Sequence, residues 1–312
     1  MSITLVPNPP DQEPLLRLSK DLRKGAALLS NREARYLVDL YYQVQDYRKS
    51  SNNQIRSMSA DNEPISLFDW IAANLEMLES DIRRALNVYA NGHEPSLWAL
   101  SIHGIGPIIA AGLLAHIDIT RAPTAGHIWR FAGLDPTVKW EKKTKRPWNA
   151  ALKTLCWKIG ESFVKVSNNE KDFYGHVWAE RKAIEWERNK FGAFALQCDA
   201  SLAKLRPGGD QEARYWYSGC LTPKALEEFE ATPSEKRQGL VKKLASAAGS
   251  GVKMLPPAHI HARAKRYAVK LFLSHYQAVA YECQYGTPPP KPYILSQGNH
   301  AHYLAPPNWP MA

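Results

Sequence analysis

The sequence predicts a mainly α-helical protein: a helical hairpin or coiled-coil-like stalk, a helical domain containing a helix-hairpin-helix-like turn, and a small C-terminal β-hairpin. Three observations carry this prediction. Apolar residues recur with the helical period; Leu67, Ile71, Leu75, Leu78, Ile82, Leu86 and Tyr89 follow at steps of 4, 4, 3, 4, 4 and 3. Helix-start signals recur along the chain, from Ser30-Asn31-Arg32-Glu33 to Thr222-Pro223. Neither a strand–helix alternation nor an internal repeat is present.

In chain order, residues 1–29 begin Pro-rich and read as an arm that docks elsewhere. Ser30 to Glu33 has the capping-box pattern, and the helix it starts runs along Ala34, Leu37, Val38, Tyr41, Val44 and Arg48. The polar stretch Ser50 to Pro64 is expected to interrupt it, and Ser66-Leu67-Phe68-Asp69 to cap the next helix. Residues 30–92 therefore read as two long amphipathic helices, either a dimerising stalk or part of a plain bundle. From Leu97 to Leu114 the pattern is helix, Gly104-Ile105-Gly106 turn, helix. Pro107 opens the second of these, where its missing N–H costs nothing. Thr124 to Ala132 is a short helix ended by Gly133, and Asp135-Pro136 opens a basic loop. Leu152, Leu155, Cys156, Ile159 and Phe163 mark the next helix, and Phe173, Val177, Arg181, Ile184 and Arg188 another.

Residues 191–256 read as an insertion within a domain spanning 93–312. There Pro207-Gly208-Gly209-Asp210 is a turn, while Thr222-Pro223 and Thr232-Pro233-Ser234-Glu235 are threonine-capped helix starts. Ser246 to Pro257 reads as a flexible connection. The last helix covers Ala258 to Gln284, with Ile260, Ala264, Ala268, Leu271, Phe272, His275 and Val279 on one face. Tyr293-Ile294-Leu295, Gln297-Gly298-Asn299 and His302-Tyr303-Leu304 form the hairpin pattern.

The net charge of +10 is unevenly spread. Residues 1–92 hold 11 Lys and Arg against 12 Asp and Glu, residues 131–158 hold 7 against 2, and residues 257–312 hold 5 against 1. Two concentrated basic stretches fit a polyanion-binding surface, nucleic acid before membrane, because neither is paired with a long apolar insertion face. Cys156, Cys198, Cys220 and Cys283 show no CxxC spacing and read as buried thiols in a reducing cytosol. The first residues lack the pattern of a signal peptide, and no apolar run reaches membrane-spanning length, so a soluble, intracellular protein without membrane partners is expected.

Three segments carry the candidate chemistry. Gly104, Ile105 and Gly106 form a turn whose glycines admit positive φ and leave the backbone open to an anion; an αα-corner packed closely through its glycines is the other reading. The loop Lys139, Trp140, Lys142, Lys143, Lys145, Arg146, Trp148 and Asn149, with Lys153 just beyond, supplies cations for phosphates and planar faces for unpaired bases. Such stacking contributes about 1–3 kcal/mol per base. On the late helix, Arg263, Lys265, Arg266 and Lys270 suit a phosphate backbone or are the basic outer face of a core helix. The His259/His261 and His300/His302 pairs have His-x-His spacing, but a metal site needs further converging ligands whose geometry sequence does not supply, so they read as structural or RNA-contacting histidines and no metal and no cofactor is expected. No Walker loop, Gly-x-Ser-x-Gly or HExxH motif occurs, and no spaced carboxylates point to paired Mg²⁺ ions, so no catalytic residue is assigned.

The stretch Ile102 to Asp135 resembles the carboxy-terminal domain of bridge-RNA-guided insertion-sequence transposases. The likeness rests on Ile102-His103-Gly104-Ile105-Gly106-Pro107-Ile108-Ile109-Ala110-Ala111-Gly112-Leu113-Leu114-Ala115 and Trp129-Arg130-Phe131-Ala132-Gly133-Leu134-Asp135-Pro136. Those transposases add an amino-terminal nuclease-like domain with a set of acidic residues, and a serine nucleophile soon after the Ala-Gly-Leu-x-Pro element. Here the amino-terminal third reads as helical, and Thr137 to Lys153 contain no serine. Stalk, domain and basic late helix together resemble the Tas proteins of tandem interspaced guide RNA (TIGR) systems, in their nuclease-free, largely phage-borne form. Their core is related to the Nop domain of box C/D ribonucleoproteins. The resemblance implies a Nop-like fold for residues 93–312, a bound dual-spacer guide RNA, target DNA recognised by base pairing, and a homodimer held by the stalk. It also implies a cytoplasmic setting, in a prokaryotic cell or a phage-infected host. The expectation is thus a non-catalytic RNA-guided DNA-binding protein. The alternatives are a transposase or recombinase of the bridge-RNA-guided family, and a guide-independent helix-hairpin-helix DNA-binding protein.

Overall fold

Thirteen α-helices and no strand occur among the residues described by the computed structural model, namely 17–61, 65–246, 251–290 and 303–311. They form two compact units. The first takes the described residues up to Leu155 and those from Tyr276 onward; the second is Cys156–His275. The mainly α fold expected from the apolar spacing is the fold observed. The expected β-hairpin falls almost wholly on residues 291–302, outside the described residues, as do residues 1–16 of the arm.

In the first unit, α1 (Lys20–Gly25) and the 3-10 turn Ala26–Leu28 lead to α2 (Asn31–Ala60). The arm docks here: the Leu18 amide donates to Asp81 at 3.1 Å, and Ala26 is buried. The capping box at Ser30 forms in both directions. Glu33 N–H donates to Ser30 Oγ, and Glu33 Oε2 accepts from the Ser30 amide at 2.8 Å. The polar stretch after Ser50 does not end α2, which continues to Ala60. Ser51, Ile55 and Met58 are half-buried at helical spacing, so the partly apolar side persists where the sequence looks uniformly polar.

Helix α3 (Ser66–Asn91) returns antiparallel to α2. Tyr89 Oη donates to Asn31 near one end at 2.8 Å, and Arg48 pairs with Glu79 further along at 2.6 Å. Ser66 is not its cap. The Asp69 amide already donates to the Ile65 carbonyl, so Ser66 lies inside the first turn. Burial alone would raise the Glu79 carboxyl, but hydrogen bonds from Arg48 and Gln45 outweigh it and hold the group below the ordinary glutamate value.

After α4 (Glu94–Ser101) and the glycine turn comes α5 (Pro107–His116), which has almost no polar residue and almost no exposed one. It packs on α2, α3 and α4, so the helix pair 30–92 is built into this unit. At Gly112 an added Cβ would lie 2.7 Å from Leu155 Cδ2 and 3.6 Å from Val38 Cγ1. A short 3-10 turn (Ile119–Arg121) and α6 (Ala125–Phe131) follow, and Gly133 at φ 66° ends α6 as the sequence predicts. Residues 303–311 close the unit: Trp98 Nε1 donates to the Pro307 carbonyl at 2.7 Å, and Asn308 donates to the Ser101 carbonyl at 3.1 Å.

Helices α7 (Ala150–Val166) and α13 (Pro257–Tyr285) each run from one unit into the other. Between them lie α8 (Phe173–Lys190), α9 (Ala195–Leu202), α10 (Gln211–Tyr217), α11 (Pro223–Ala231) and α12 (Leu240–Leu244). An aromatic cluster centres the second unit. Phe163 stacks on Tyr174 at 4.9 Å, Phe272 meets both edge-on, and Tyr174 Oη shares a buried 2.7 Å hydrogen bond with His275 Nδ1. Thr222 caps α11 as predicted, but Thr232 does not start a helix. It ends α11, and only a 3-10 turn, Ser234–Lys236, follows. The supposed flexible connection is pinned where it is described. The Met254 amide donates to the Trp216 carbonyl, Asn189 makes two hydrogen bonds to the Leu255 backbone, and Leu255 is buried. Of the cysteines, Cys156 and Cys198 are buried, while Cys220 and Cys283 are half-buried; all four are free thiols.

Gly112 and Gly106 give contrasting stability predictions. Gly112→Ala forces a methyl into the packed Leu155 contact and should destabilise by about 1–3 kcal/mol in urea unfolding. Gly106 has a φ of −104°, and an added Cβ there meets nothing within 4 Å. Gly106→Ala should therefore stay within about 1 kcal/mol of the parent.

Candidate nucleic-acid interface

The glycine turn is set by its neighbours in the core. The Ile105 amide donates to the Ile102 carbonyl at 3.0 Å, and both isoleucine side chains are buried. Of the two glycines only Gly104, at φ 87°, uses the left-handed region. Gly106 is the backbone cap of α5, its carbonyl accepting from Ile109 and Ala110, and Pro107 takes the first helical position as predicted. Both glycines are half-buried at the surface, whereas Ile105 anchors the turn from beneath. The turn is thus a packing element whose outer backbone alone faces outward.

The basic loop is held at three points. At its start Asp135 accepts from the Thr137 amide and hydroxyl, closing an Asx turn. In its middle the chain reverses over Glu141 to Thr144, with Lys143 at φ 74° and Trp140 Nε1 donating to the Thr144 carbonyl at 2.9 Å. At its end Asn149 is a four-way clamp. Its amide donates to the Phe131 carbonyl, its carbonyl accepts from Lys153, its Oδ1 caps α7 through the Leu152 amide, and its Nδ2 reaches His116 Nδ1 at 3.4 Å. Lys139, Lys142, Lys143, Lys145 and Arg146 are exposed on this frame, and none joins an ion pair among the described residues.

The two tryptophans are less alike than the sequence suggests. Trp140 is 40% exposed, meets Trp148 edge-on at 6.3 Å, and carries the Arg146 guanidinium 5.4 Å from its ring. Trp148 is half-buried. It covers Gly133, where a Cβ would lie 2.8 Å from its Cγ, and the Lys153 ammonium sits 4.2 Å from its ring. Trp140 therefore keeps accessible surface for a planar partner, whereas Trp148 and Asn149 build the loop's base.

In the second unit the late-helix cations divide in the same way. Arg263 is turned inward, pairing with buried Glu185 at 3.0 Å, donating to Gln197 and lying 4.3 Å from the Phe194 ring. Lys265 pairs with Glu161, and its side chain is 13% exposed. Arg266 is exposed and Lys270 half-buried. Arg263 and Lys265 thus neutralise acids contributed by α8 and α7 and are turned away from the phosphate-backbone role that the sequence offered them. Sequence reasoning missed Trp157, which is 56% exposed, with Lys158 and Lys265 each within 6 Å of its ring centre at 5.8 and 5.7 Å. Its place outside the register of buried Leu152, Leu155, Cys156 and Ile159 was the available signal. His259 bonds Gln197 and His261 packs against Trp178. His300 and His302 lie outside the described residues, and among the described residues no group of three or more His, Cys, Asp or Glu could hold a metal ion.

Packed helices carry a hydrogen-bonded cationic loop beside an accessible indole, and clustered exposed cations of this kind suit a polyanion. The chain's own kinship is more specific. Residues 98–174 match the model of the transposase IS116/IS110/IS902 family, and this segment is related to those transposases. The match runs from α4 through the glycine turn, α5, α6, the whole basic loop and α7 to the first residues of α8. No curated protein and no solved structure matches the chain. No helix among the described residues is long and apolar enough to cross a membrane.

The His116–Asn149 contact makes the clamp sensitive to acid. His116 is 7% exposed; burial, reinforced by Arg35, pushes its imidazole down to about 4. The unfolded chain takes up this proton near pH 6.5 and the folded one only near 4. Stability from this group is complete above pH 6.5 and is lost as pH falls toward 4, by up to about 3 kcal/mol. Urea unfolding at stepped pH should show the loss, and His116→Gln should flatten it across that window.

Proposed function

We propose that this chain is an RNA-guided DNA-binding protein that holds a dual-spacer guide RNA and leaves recognition of target DNA to base pairing. One observation carries the reading: the segment related to the IS116/IS110/IS902 transposases contains the exposed, unpaired basic loop in full. A protein that delegates sequence to a guide needs backbone neutralisation and shape, not base-edge readout. Lys139, Lys142, Lys143, Lys145 and Arg146 supply the first, on a frame fixed by Asp135 and Asn149. Trp140 offers the stacking face that unpaired RNA bases use. The outer backbone of Gly104 and Gly106 lies on the same matched segment and is a second, weaker contact.

Binding without catalysis is part of the proposal. Ahead of the matched segment the described residues form α1, α2 and α3 and no strand, unlike the strand-bearing nuclease-like domain expected ahead of this element in a guided transposase. A homodimer through α2 and α3 is proposed with it. Tyr36, Tyr47, Leu67 and Trp70 are 66, 66, 63 and 49% exposed on that helix pair. The family match also favours a second reading, a transposase or recombinase, which predicts strand transfer or nicking of DNA in Mg²⁺.

Protein expressed with its flanking repeats should co-purify with a discrete short RNA, read by sequencing; protein free of RNA under these conditions defeats the guided reading. Lys142→Glu with Lys143→Glu should weaken RNA binding about tenfold or more and reduce the salt slope by about 2, without changing the unfolding midpoint. Unchanged affinity would remove the loop from the interface. Inertness toward DNA with every divalent metal tried would dismiss the transposase reading.

A further inference from the structure

The second unit contains an open, solvent-facing cavity of about 520 Å³. Its size lies within the range of small-ligand sites. Three features give it a positive end. Lys182 and Arg237 both line it, and so do Pro257 and Ala258, the first residues of the 29-residue helix α13. Pro256 precedes that helix and offers no side-chain cap; its carbonyl accepts from the His259 and Ile260 amides, and Pro257 has no N–H, so Ala258 carries the remaining first-turn amide at the cavity.

The ion pairs of this unit engage Arg181, Arg188, Lys190, Lys253, Arg263 and Lys265, and leave Lys182 and Arg237 outside them. Arg237 is nevertheless fixed in place. Its Nε donates to the Thr232 carbonyl at 2.6 Å and its Nη2 to the Glu230 carbonyl at 2.9 Å. Partial burial first, then the charge of Arg237, hold the Lys182 ammonium below the ordinary lysine value. Two like charges held near each other beside a helix N-terminus form an arrangement that an anion relieves.

The remaining walls are aromatic. Trp186 and Phe229 line the cavity, and Glu230, its single acid, is already engaged by Trp186 Nε1 at 2.5 Å and by Lys190 at 3.4 Å. His261 lines the cavity as well, and burial together with Lys265 and Lys182 keeps its imidazole below the ordinary histidine value. It is therefore a neutral hydrogen-bonding group at neutral pH. A simple inorganic anion would leave the aromatic walls unused, and an uncharged aromatic would leave the cations unused. We propose that this cavity binds a nucleotide through a terminal phosphate, with the phosphate at Lys182, Arg237 and the start of α13 and the base against Trp186. The nucleotide is either a free nucleoside monophosphate or the 5′-phosphorylated end of a strand.

The inference is independent of guided binding, and its test separates the two. Titration calorimetry on the full chain would compare the four nucleoside 5′-monophosphates, the four nucleosides, and a tetranucleotide with and without a 5′-phosphate. At least one phosphorylated ligand should bind about tenfold or more tightly than its unphosphorylated counterpart. Lys182→Glu, at an exposed position, should remove that preference while leaving the unfolding midpoint in place. Lys142→Glu with Lys143→Glu should leave it intact. Binding of monophosphates assigns a free nucleotide, and preference confined to the tetranucleotide assigns a strand end. Equal affinity with and without phosphate, no binding by any of these ligands, or a phosphate preference unaltered by Lys182→Glu would overturn the proposal.

Discussion

The first unit is organised by the burial of α5. A helix with apolar residues on every side cannot tolerate a solvent face, so other elements must surround it. Helices α2, α3 and α4 do so, and Leu155 of α7 closes on Gly112. The glycine turn exists to feed this helix into its enclosure. Gly104 supplies the reversed φ, Ile105 plugs the core, and Pro107 starts the helix without a wasted donor. At its other end α5 delivers His116, a buried neutral imidazole, to the side chain of Asn149. One apolar helix thereby touches two features of the segment related to the transposases, the glycine turn directly and the end of the basic loop through Asn149.

That linkage explains how a loop of like charges can be ordered. Five exposed cations within eight residues repel one another and gain nothing from the core, so the loop's shape must come from its neutral and acidic members. Asp135, Thr144, Trp148 and Asn149 provide it through hydrogen bonds and ring packing, and leave the ammonium and guanidinium groups on the outside. The division of labour is chemical. Groups able to bond the backbone build the frame, and groups that gain most from phosphate remain without carboxylate partners.

Much of this was legible in the sequence, in proportion to how local the controlling interaction is. The capping box at Ser30, the end of α6 at Gly133, Pro107 at the start of α5 and Thr222 at the start of α11 rest on bonds spanning a few residues, and all formed. The failures depend on distant partners. Ser51, Ile55 and Met58 keep α2 helical through a stretch that composition alone reads as loop. Residues 251–256 look flexible until Asn189, Gly219 and Trp216 bind their backbone. Asn149 and Trp148 were rightly placed at the basic loop, but their roles as clamp and cover could not be read without His116, Phe131 and Gly133.

Charge shows the same limit most clearly, because a cation's availability is decided by what stands opposite it in space. The acid-free run around Arg263 and Lys265 suggested an open basic face, yet Glu185 and Glu161, on helices far earlier in the chain, consume both. Lys182 and Arg237 sit among acids in the sequence, but among the described residues no carboxylate pairs with either. Burial makes the distinction consequential. Removing Arg263 would take one of three arginines from Glu185, whose side chain is 2% exposed, whereas Lys182 holds no carboxylate in place. The cations proposed to bind a ligand in the second unit are therefore ones with no carboxylate partner, and fold geometry, not local charge density, identifies them.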